Sequence, residues 1–273
     1  MPDTTMLPAG SILLTTMEVT VGTPELGITG ERTVPGIPAE NYWFRRHVAV
    51  YAALPYYAPR PPRRVLDAGS GEGYGVAAMA HLWDAAEVVG VDYDAAAVEH
   101  ARGTYGSSRC SFVRGPLTSI PLQDNGFDLL VSLQVIEHIW TPGELLGELA
   151  RVGRPGATVV VSTPNRLTFS PGLGRRERPA NLFHTREYDA MELAGMVGET
   201  VEVDSVLGLH HGPRLRAWEA AHGSLPAAQL AGPPEGWEPG LADLVAGVDV
   251  ADFTLSGEAL DASLDLVVVG QVR

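Results

Sequence analysis

The sequence has no lysine, one cysteine and no long apolar run. All 19 of its basic residues are arginines, which excludes mechanisms that need a lysine Schiff base. Cys110 alone can form neither an intramolecular disulfide nor a cysteine metal cluster, which suits a reducing compartment. No stretch reaches the roughly 18 apolar residues of a membrane span, and the N-terminus lacks the pattern of a signal peptide. We therefore expect a soluble, cytoplasmic protein.

Positive charge is also scarce. The chain carries 33 acidic residues against 19 arginines, which gives a formal net charge of −14 at pH 7. The phosphates of a nucleic acid and the surface of an anionic membrane would both be repelled unless a strong basic patch faced them. We therefore expect neither a nucleic acid nor a membrane as a partner.

What the sequence does contain, from Arg64 onward, is an alternation of strand-like and helix-like segments, with predicted strands that include "RVLDA", "EVVGVD" and "FDLLVSL". Apolar runs such as "TVVVST" are typical of strands covered on both faces, and helical patterns lie between them. We therefore expect an α/β protein with a mostly parallel sheet. Residues 1–60 are predicted to form an N-terminal arm and a lid helix. Residues 61–273 are predicted to form the main domain, with an insertion at about 209–261 before the last strand.

A glycine-rich stretch, "VLDAGSGEGYG", spans the end of the first predicted strand and the turn after it. Glycines at such a turn let a ligand approach the backbone closely, and both a dinucleotide and S-adenosylmethionine bind loops of this kind. Asp67 would oppose a bound pyrophosphate but would favour the sulfonium and ammonium groups of S-adenosylmethionine. Asp92, 23 residues beyond Gly69, is placed to bind a ribose diol. The residues therefore favour S-adenosylmethionine over NAD.

Four segments, in this order, resemble class I S-adenosylmethionine-dependent methyltransferases, in particular the ubiquinone and menaquinone methyltransferase branch. They are "VLDAGSGEGYG", "VVGVDYD", "IPLQDNGFDLLVSLQVIEHI" and "GRPGATVVVSTPN", and the resemblance covers about residues 62–166. It implies a Rossmann-like, seven-stranded, mostly parallel sheet with an antiparallel last strand, and S-adenosyl-L-methionine as cofactor. The chain departs from the family at Pro116, where an acid often follows the third strand.

The resemblance also implies which residues bind the cofactor, and Asp67 joins them on the charge argument above. They are Gly69, Ser70, Gly71 and Gly73 around the methionine part, Asp92 at the ribose, Tyr93 and Leu117 at the adenine, and Gln134 under the methionine part. The segment "ENYWFRRH" adds two more expected contacts. As a lid, it would bring Tyr42 to the cofactor and Arg46 to its carboxylate. The alternative is an amphipathic helix packed on the sheet, with its arginines in solvent.

His138, which follows the fourth predicted strand in "VIEHIW", is the candidate general base. Open α/β sheets bind ligands at the carboxyl ends of their strands, and an alcohol acceptor must lose a proton as the methyl group arrives. Substrate contact and inert packing are the alternatives for this histidine. Glu137 beside it is a second catalytic candidate, with a structural role as the alternative.

A further polar group lies in "NLFHTREYDAMEL", ahead of a helix whose start is predicted by an acidic capping box. His184, Glu187 and Tyr188 in this segment have side chains that can bind sugar hydroxyls. Together with His138 they also have the ligand types of a divalent metal site, but their spacing matches no known metal motif. We therefore expect no metal, and we predict that Tyr188 lies near the acceptor.

Two short pieces, "NYWFRRH" and "HTREYD", are similar to actinobacterial sugar methyltransferases of the methylmannose-polysaccharide type. The similarity implies O-methylation of a sugar hydroxyl in polysaccharide biosynthesis, with a small-molecule or oligosaccharide acceptor, and a homodimer is compatible with it. One alternative is an O- or C-methyltransferase of a quinone, polyketide or other small aromatic metabolite. Another is a cofactor-binding regulatory protein without catalysis. A polar cavity with Glu, His and Trp would favour the sugar, and an apolar aromatic lining would favour the quinone.

Overall fold

The computed structural model describes residues 33–58, 60–83 and 87–273. Most of the expected N-terminal arm, residues 1–32, lies outside the described residues. The helices are α1 (Asn41–Tyr57), α2 (Tyr74–Leu82), α3 (Ala95–Tyr105), α4 (Pro142–Val152), α5 (Arg166–Phe169), α6 (Ala190–Val197), α7 (Pro213–His222), α8 (Leu225–Leu230) and α9 (Pro239–Ala246). None of the helices in these ranges is both long enough and apolar enough to cross a membrane.

A single eight-stranded sheet lies at the centre of the described part of the chain. Its strands are β1 (Arg64–Ala68), β2 (Glu87–Asp92), β3 (Cys110–Arg114), β4 (Phe127–Leu133), β5 (Gly153–Pro164), β6 (Val201–His211), β7 (Phe253–Ser256) and β8 (Asp265–Val272). They lie in the order β3-β2-β1-β4-β5-β8-β6-β7. Strands β1 to β5 pair in parallel. Strand β8 runs antiparallel to β5 and β6, and β7 runs antiparallel to β6.

The sheet is mostly parallel with an antiparallel last strand, as expected, but the expected count of seven strands is wrong. The additional strand is β7, which lies at the edge and pairs only four of its residues with the end of β6. Its four residues, "FTLS", alternate between apolar and polar side chains, but they are fewer than the roughly five or six residues of a typical strand, and so short a run does not indicate which strand it pairs with. Its pairing with β6 therefore could not be predicted from the sequence.

Helices cover both faces of the sheet, which explains the continuous apolar strands. Helices α1, α2 and α3 supply buried residues such as Leu54 and Met79 to the core on one face. Helices α4 and α6 supply Leu145 and Leu193 to the core on the other face. This arrangement leaves the loops at the carboxyl ends of β1, β2 and β4 exposed at one rim, where ligands of open α/β sheets bind.

Helix α1 is packed into the structure along most of its length. Leu54 and Ala49 are fully buried, and the Asn41 amide at its first turn lies 2.8–3.2 Å from three carbonyl oxygens at the end of α9. This packing resembles the alternative of a helix on the sheet more than a mobile lid. It differs from that alternative at Arg46, which is buried instead of lying in solvent.

The segment between β6 and β8 holds α7, α8, α9 and β7. Leu215, Leu225 and Val245 from its three helices are fully buried in the same core as α1. The segment therefore packs on α1 and extends the main domain, and it brings the side chains of α8 and the following turn to the ligand-binding rim.

Candidate functional site

The loop between β1 and α2 has a backbone that only glycine adopts easily. Gly69, Gly71 and Gly73 have φ angles of 89°, 50° and 103°, in the left-handed region where a side chain causes strain. A Cβ atom on Gly69 would also lie 2.3 Å from a methyl carbon of Val135. The loop therefore carries no side chains at these positions, and a ligand can approach its backbone directly.

A cavity of about 440 Å³ opens over this loop. Seven of the eleven residues predicted to bind the cofactor line it, namely Gly69, Ser70, Gly71, Asp92, Tyr93, Leu117 and Gln134. The Asp92 carboxylate accepts hydrogen bonds from the backbone N–H groups of Gly71, at 2.8 Å, and Asp94, at 2.9 Å. These bonds fix the carboxylate at the end of β2, where it can accept hydrogen bonds from the hydroxyl groups of a ribose. A glycine loop beside a carboxylate that hydrogen bonds hold in place fits the binding of S-adenosylmethionine.

Asp67 lies behind the cavity wall. Its side chain is fully buried, and the Tyr51 hydroxyl, which belongs to a lining residue, donates to its two oxygens at 3.2 and 3.3 Å. Burial raises the pKa of the Asp67 carboxyl to about 7. The structure therefore places Tyr51 between this carboxyl and the cavity, so that direct contact of Asp67 with the cofactor stays a prediction.

The raised pKa of Asp67 predicts a measurable dependence of stability on pH. Because the pKa is about 7 in the folded chain and about 4 in an unfolded one, the folded state holds the proton more tightly. Ionisation of Asp67 therefore lowers the free energy of unfolding as the pH rises from about 4 through about 7, by about 1.4 kcal/mol per pH unit. An Asp67→Asn variant should not show this loss of stability, because asparagine does not ionise.

Urea unfolding at pH 5 and pH 8 measures the effect in both proteins. Between these values, the free energy of unfolding of Asp67→Asn should gain about 2.6 kcal/mol relative to that of the wild type. Other buried acids contribute equally to both proteins and cancel in the difference. Equal changes with pH in the two proteins would contradict the raised pKa of Asp67.

Three other predicted cofactor residues also lie outside the lining of this cavity. Gly73 caps the start of α2 at the end of the loop. Tyr42 is fully buried and lies 2.8 Å, through its hydroxyl oxygen, from Nε2 of His211. The Arg46 guanidinium makes a buried two-point ion pair with Asp265 at the start of β8, with one N–O distance of 2.6 Å. The structure therefore does not bring Tyr42 and Arg46 to the cofactor cavity.

A second cavity, of about 820 Å³, adjoins the first. It lies between α1, the loop before α6, and the segment that contains α8. The two cavities share five lining residues, which are Thr33, His47, Gln134, His138 and Phe183. This shared wall defines the region in which a group bound in one cavity can reach a group bound in the other.

His138 lies in this shared wall, in the 3₁₀ turn Ile136–His138 that follows β4. The distance between its Nδ1 and the carbonyl oxygen of Phe183 is 3.1 Å. Because a carbonyl can only accept, Nδ1 carries the hydrogen, and the lone pair lies on Nε2. The side chain is 26% exposed, so it can meet a ligand. The predicted base therefore lies where the two cavities join.

The other two catalytic candidates have different surroundings. Glu137 lines the larger cavity but is almost fully buried. Its carboxylate accepts from the Thr163 hydroxyl at 3.0 Å, and burial raises its pKa. Tyr188 is fully buried, lines neither cavity and packs under the Arg186 guanidinium. The structure therefore does not bring Tyr188 to either cavity, because its ring lies in the core that α6 covers.

Sequence reasoning missed three lining residues from α1 and α2. His47 belongs to the shared wall, and Tyr51 and Tyr74 line the cofactor cavity. Burial lowers the pKa of His47 to about 3, so this histidine is neutral at pH 7. Its ring lies 3.3 Å from the Tyr74 hydroxyl. His47 follows the apolar spacing of α1, so the pattern alone indicated a core position and gave no signal of a cavity.

Comparison with known proteins identifies the family. A family model described as "Methyltransferase domain" matches residues 66–161. A protein of Mycobacterium tuberculosis named "Probable S-adenosylmethionine-dependent methyltransferase" is 46% identical over 255 residues, which are 89% of each chain. A relative with a similar name from Mycolicibacterium smegmatis is 45% identical over 252 residues, which are 89% of this chain and 94% of its own.

Solved structures with low sequence identity share the fold. An S-adenosylmethionine-dependent methyltransferase from Mesorhizobium loti aligns with a TM-score of 0.55 at 19% identity, over 82% of this chain and 97% of its own. A geranyl diphosphate C-methyltransferase from Streptomyces coelicolor aligns with a TM-score of 0.53 at 13% identity, over 82% of this chain and 77% of its own. The fold, the glycine loop and the curated relatives agree: the chain belongs to the class I S-adenosylmethionine-dependent methyltransferases, and S-adenosylmethionine is its cofactor.

Proposed function

We propose that this methyltransferase transfers the methyl group of S-adenosylmethionine to a hydroxyl of a sugar or oligosaccharide, with His138 as the general base. The observation that carries the proposal is the shared wall. A cofactor in the smaller cavity and an acceptor in the larger one would both lie against Gln134 and His138. Much of the catalysis of an in-line displacement comes from such alignment.

The chemistry of the larger cavity supports a sugar as the acceptor. Polar side chains in its lining, among them Glu40, Asn181 and Gln229, can exchange hydrogen bonds with hydroxyl groups. Two indoles, those of Trp43 and Trp237, are in the same lining and offer flat faces to the C–H groups of a pyranose ring. A quinone would need few of these polar groups. The lining therefore contains the Glu, His and Trp residues expected for a sugar, together with apolar residues such as Phe169, Leu182 and Leu230 that a quinone would also contact.

The position of His138 supports its role in proton transfer. S-adenosylmethionine supplies a methyl group on a positively charged sulfur. As the acceptor oxygen gains this methyl group, the bond between sulfur and methyl breaks and the hydroxyl proton must leave. Nε2 of His138 carries a lone pair because Nδ1 donates to Phe183, so it can take that proton. The products are a methyl ether, S-adenosylhomocysteine and a protonated His138.

The proposal is tested by incubating the protein with S-adenosylmethionine and two sets of acceptors. One set contains neutral mannose and glucose oligosaccharides, and the other contains phenols and hydroquinones of similar size. Mass spectrometry should detect a gain of one methyl group on members of the sugar set, and the position of the methyl ether should be a former hydroxyl. If the sugars stay unmodified while the phenols gain a methyl group, the sugar proposal is wrong and the aromatic alternative holds.

A further inference from the structure

Three side chains that can bind metals meet in the wall of the larger cavity. They are Glu137, His138 and His184, and one potential ligand atom of each lies within 4.8 Å of the others. Glu137 and His138 come from the turn after β4, whereas His184 comes from the loop before α6. The imidazole rings of the two histidines meet edge to face, with their centroids 5.0 Å apart. The fold therefore assembles this cluster from two distant parts of the chain.

Each of the three side chains makes a hydrogen bond that helps to fix its orientation. Nδ1 of His184 lies 2.8 Å from a carboxylate oxygen of the buried Glu187. A carboxylate oxygen accepts hydrogen bonds, so this nitrogen carries the hydrogen and donates. Nδ1 of His138 donates to Phe183, and the Thr163 hydroxyl donates to Glu137. Histidines that donate to a carboxylate or a carbonyl, and carboxylates that accept from a hydroxyl, are the usual arrangement of metal ligands.

We propose that Glu137, His138 and His184 form a binding site for a divalent transition metal ion such as Zn²⁺. Two imidazole nitrogens and one carboxylate oxygen are a ligand set that Zn²⁺ takes in proteins, with a fourth position open to solvent or a ligand. Here the fourth position faces the larger cavity, which all three residues line. The acceptor hydroxyl is a chemical group able to occupy it.

The distances allow the site to close around an ion. Ligand atoms at about 2.0–2.1 Å from a tetrahedral Zn²⁺ lie about 3.3 Å apart. The His138 Nε2 to Glu137 Oε1 distance is 4.0 Å, so these two atoms need to approach by less than 1 Å. Nε2 of His184 is 3.1 Å from the Asn181 amide nitrogen, and this amide must turn aside. An ion would also offset the cost of burying the Glu137 charge, because the Glu137 side chain is almost fully buried.

The inference rests on the proposed function and adds a consequence to it. An ion bound to Nε2 of His138 occupies the lone pair that would otherwise accept the proton of the acceptor. Methyl transfer and ion binding therefore compete for one atom. If His138 is the base, Zn²⁺ lowers the turnover over the same concentration range in which it binds.

Ion binding is measured directly, without any methyl transfer. Co²⁺ serves as the optical probe, because its d–d absorption reports coordination by protein nitrogen, and calorimetry with Zn²⁺ gives the stoichiometry. The wild type should bind one ion per chain. The variants Glu137→Gln and His184→Gln should bind at least 10-fold more weakly, whereas His222→Gln, which changes an exposed histidine of α7, should bind like the wild type. Calorimetry with S-adenosylhomocysteine verifies that each variant keeps a folded cofactor cavity.

The outcomes separate the ion site from the proposed function. Failure of the wild type to bind either ion, or equal binding by His184→Gln, would overturn the ion site. Binding accompanied by loss of turnover supports both the site and the base. Binding that raises the turnover supports the site and overturns His138 as the base. If the ion binds as expected but no sugar is methylated, the ion site stands and the sugar acceptor is wrong.

Discussion

Replacement of His138 with alanine is expected to lower kcat by about 10²–10⁴-fold, the range typical for loss of a general base, and to leave the affinity for S-adenosylhomocysteine within a few-fold of the wild type. His138 lies at the junction of the two cavities with its lone pair on Nε2. Its removal takes away the imidazole nitrogen that we propose accepts the proton of the acceptor hydroxyl. The glycine loop and Asp92, which shape the cofactor cavity, do not depend on its side chain.

Steady-state kinetics that follow formation of the methylated sugar measure kcat. Calorimetry with S-adenosylhomocysteine measures the affinity for the cofactor product. His222→Ala is the matched control, because it removes a histidine from outside both cavities. It should retain the wild-type kcat. An unchanged kcat for His138→Ala would refute the base assignment, and a lost affinity for S-adenosylhomocysteine would show that His138 has a structural role instead.

Replacement of Arg46 with methionine is expected to lower the free energy of unfolding by about 3–5 kcal/mol. Arg46 and Asp265 are almost completely buried and form a two-point ion pair. The guanidinium also lies over the rings of Trp43 and Phe169. Methionine fills much of the same space, but it leaves the Asp265 carboxylate in the core with the Gln134 amide, at 3.2 Å, as its one remaining side-chain donor among the residues that the structure describes.

An exposed ion pair in the same protein provides the control. Arg154 pairs with Asp128 at 2.6 Å, and 45% of the Arg154 side chain is exposed. Arg154→Met should therefore cost about 0–1 kcal/mol. Urea unfolding of both variants makes the comparison, and an additional Asp265→Leu change in the Arg46→Met background should restore much of the lost stability. Equal losses for the two single variants would show that the buried pair contributes no more than the exposed one.

Most of the sheet could be predicted because its signals are local. Strands β1, β2 and β4 match the apolar runs "RVLDA", "EVVGVD" and "FDLLVSL" residue for residue, since each run is short, apolar and bounded by turn residues. The glycine loop is equally local, because three positive φ angles within five residues require glycine at those positions. The four residues of β7 alternate between apolar and polar side chains, but they are too few to indicate a partner, because the pairing depends on the end of β6 some forty residues earlier.

The environment of a charged side chain could not be predicted in the same way. The sequence around Arg46 is compatible with a lid, with an exposed helix face or with a buried ion pair. The third arrangement occurs because Asp265, 219 positions later in the chain, lies opposite it at the start of β8. Asp67, in β1, is a similar case, since its neighbour Tyr51 comes from helix α1. His138 and His184 are 46 positions apart, so their proximity has no motif in the sequence.

The wall between the two cavities has a thermodynamic consequence. A ligand in either cavity restricts the same side chains, including Gln134 and His138. The entropy lost in ordering them is incurred once, by whichever ligand binds first. The second ligand then binds to residues that are already fixed. Cofactor and acceptor should therefore strengthen each other's binding by the same factor, a heterotropic cooperativity that requires no movement of any helix or strand.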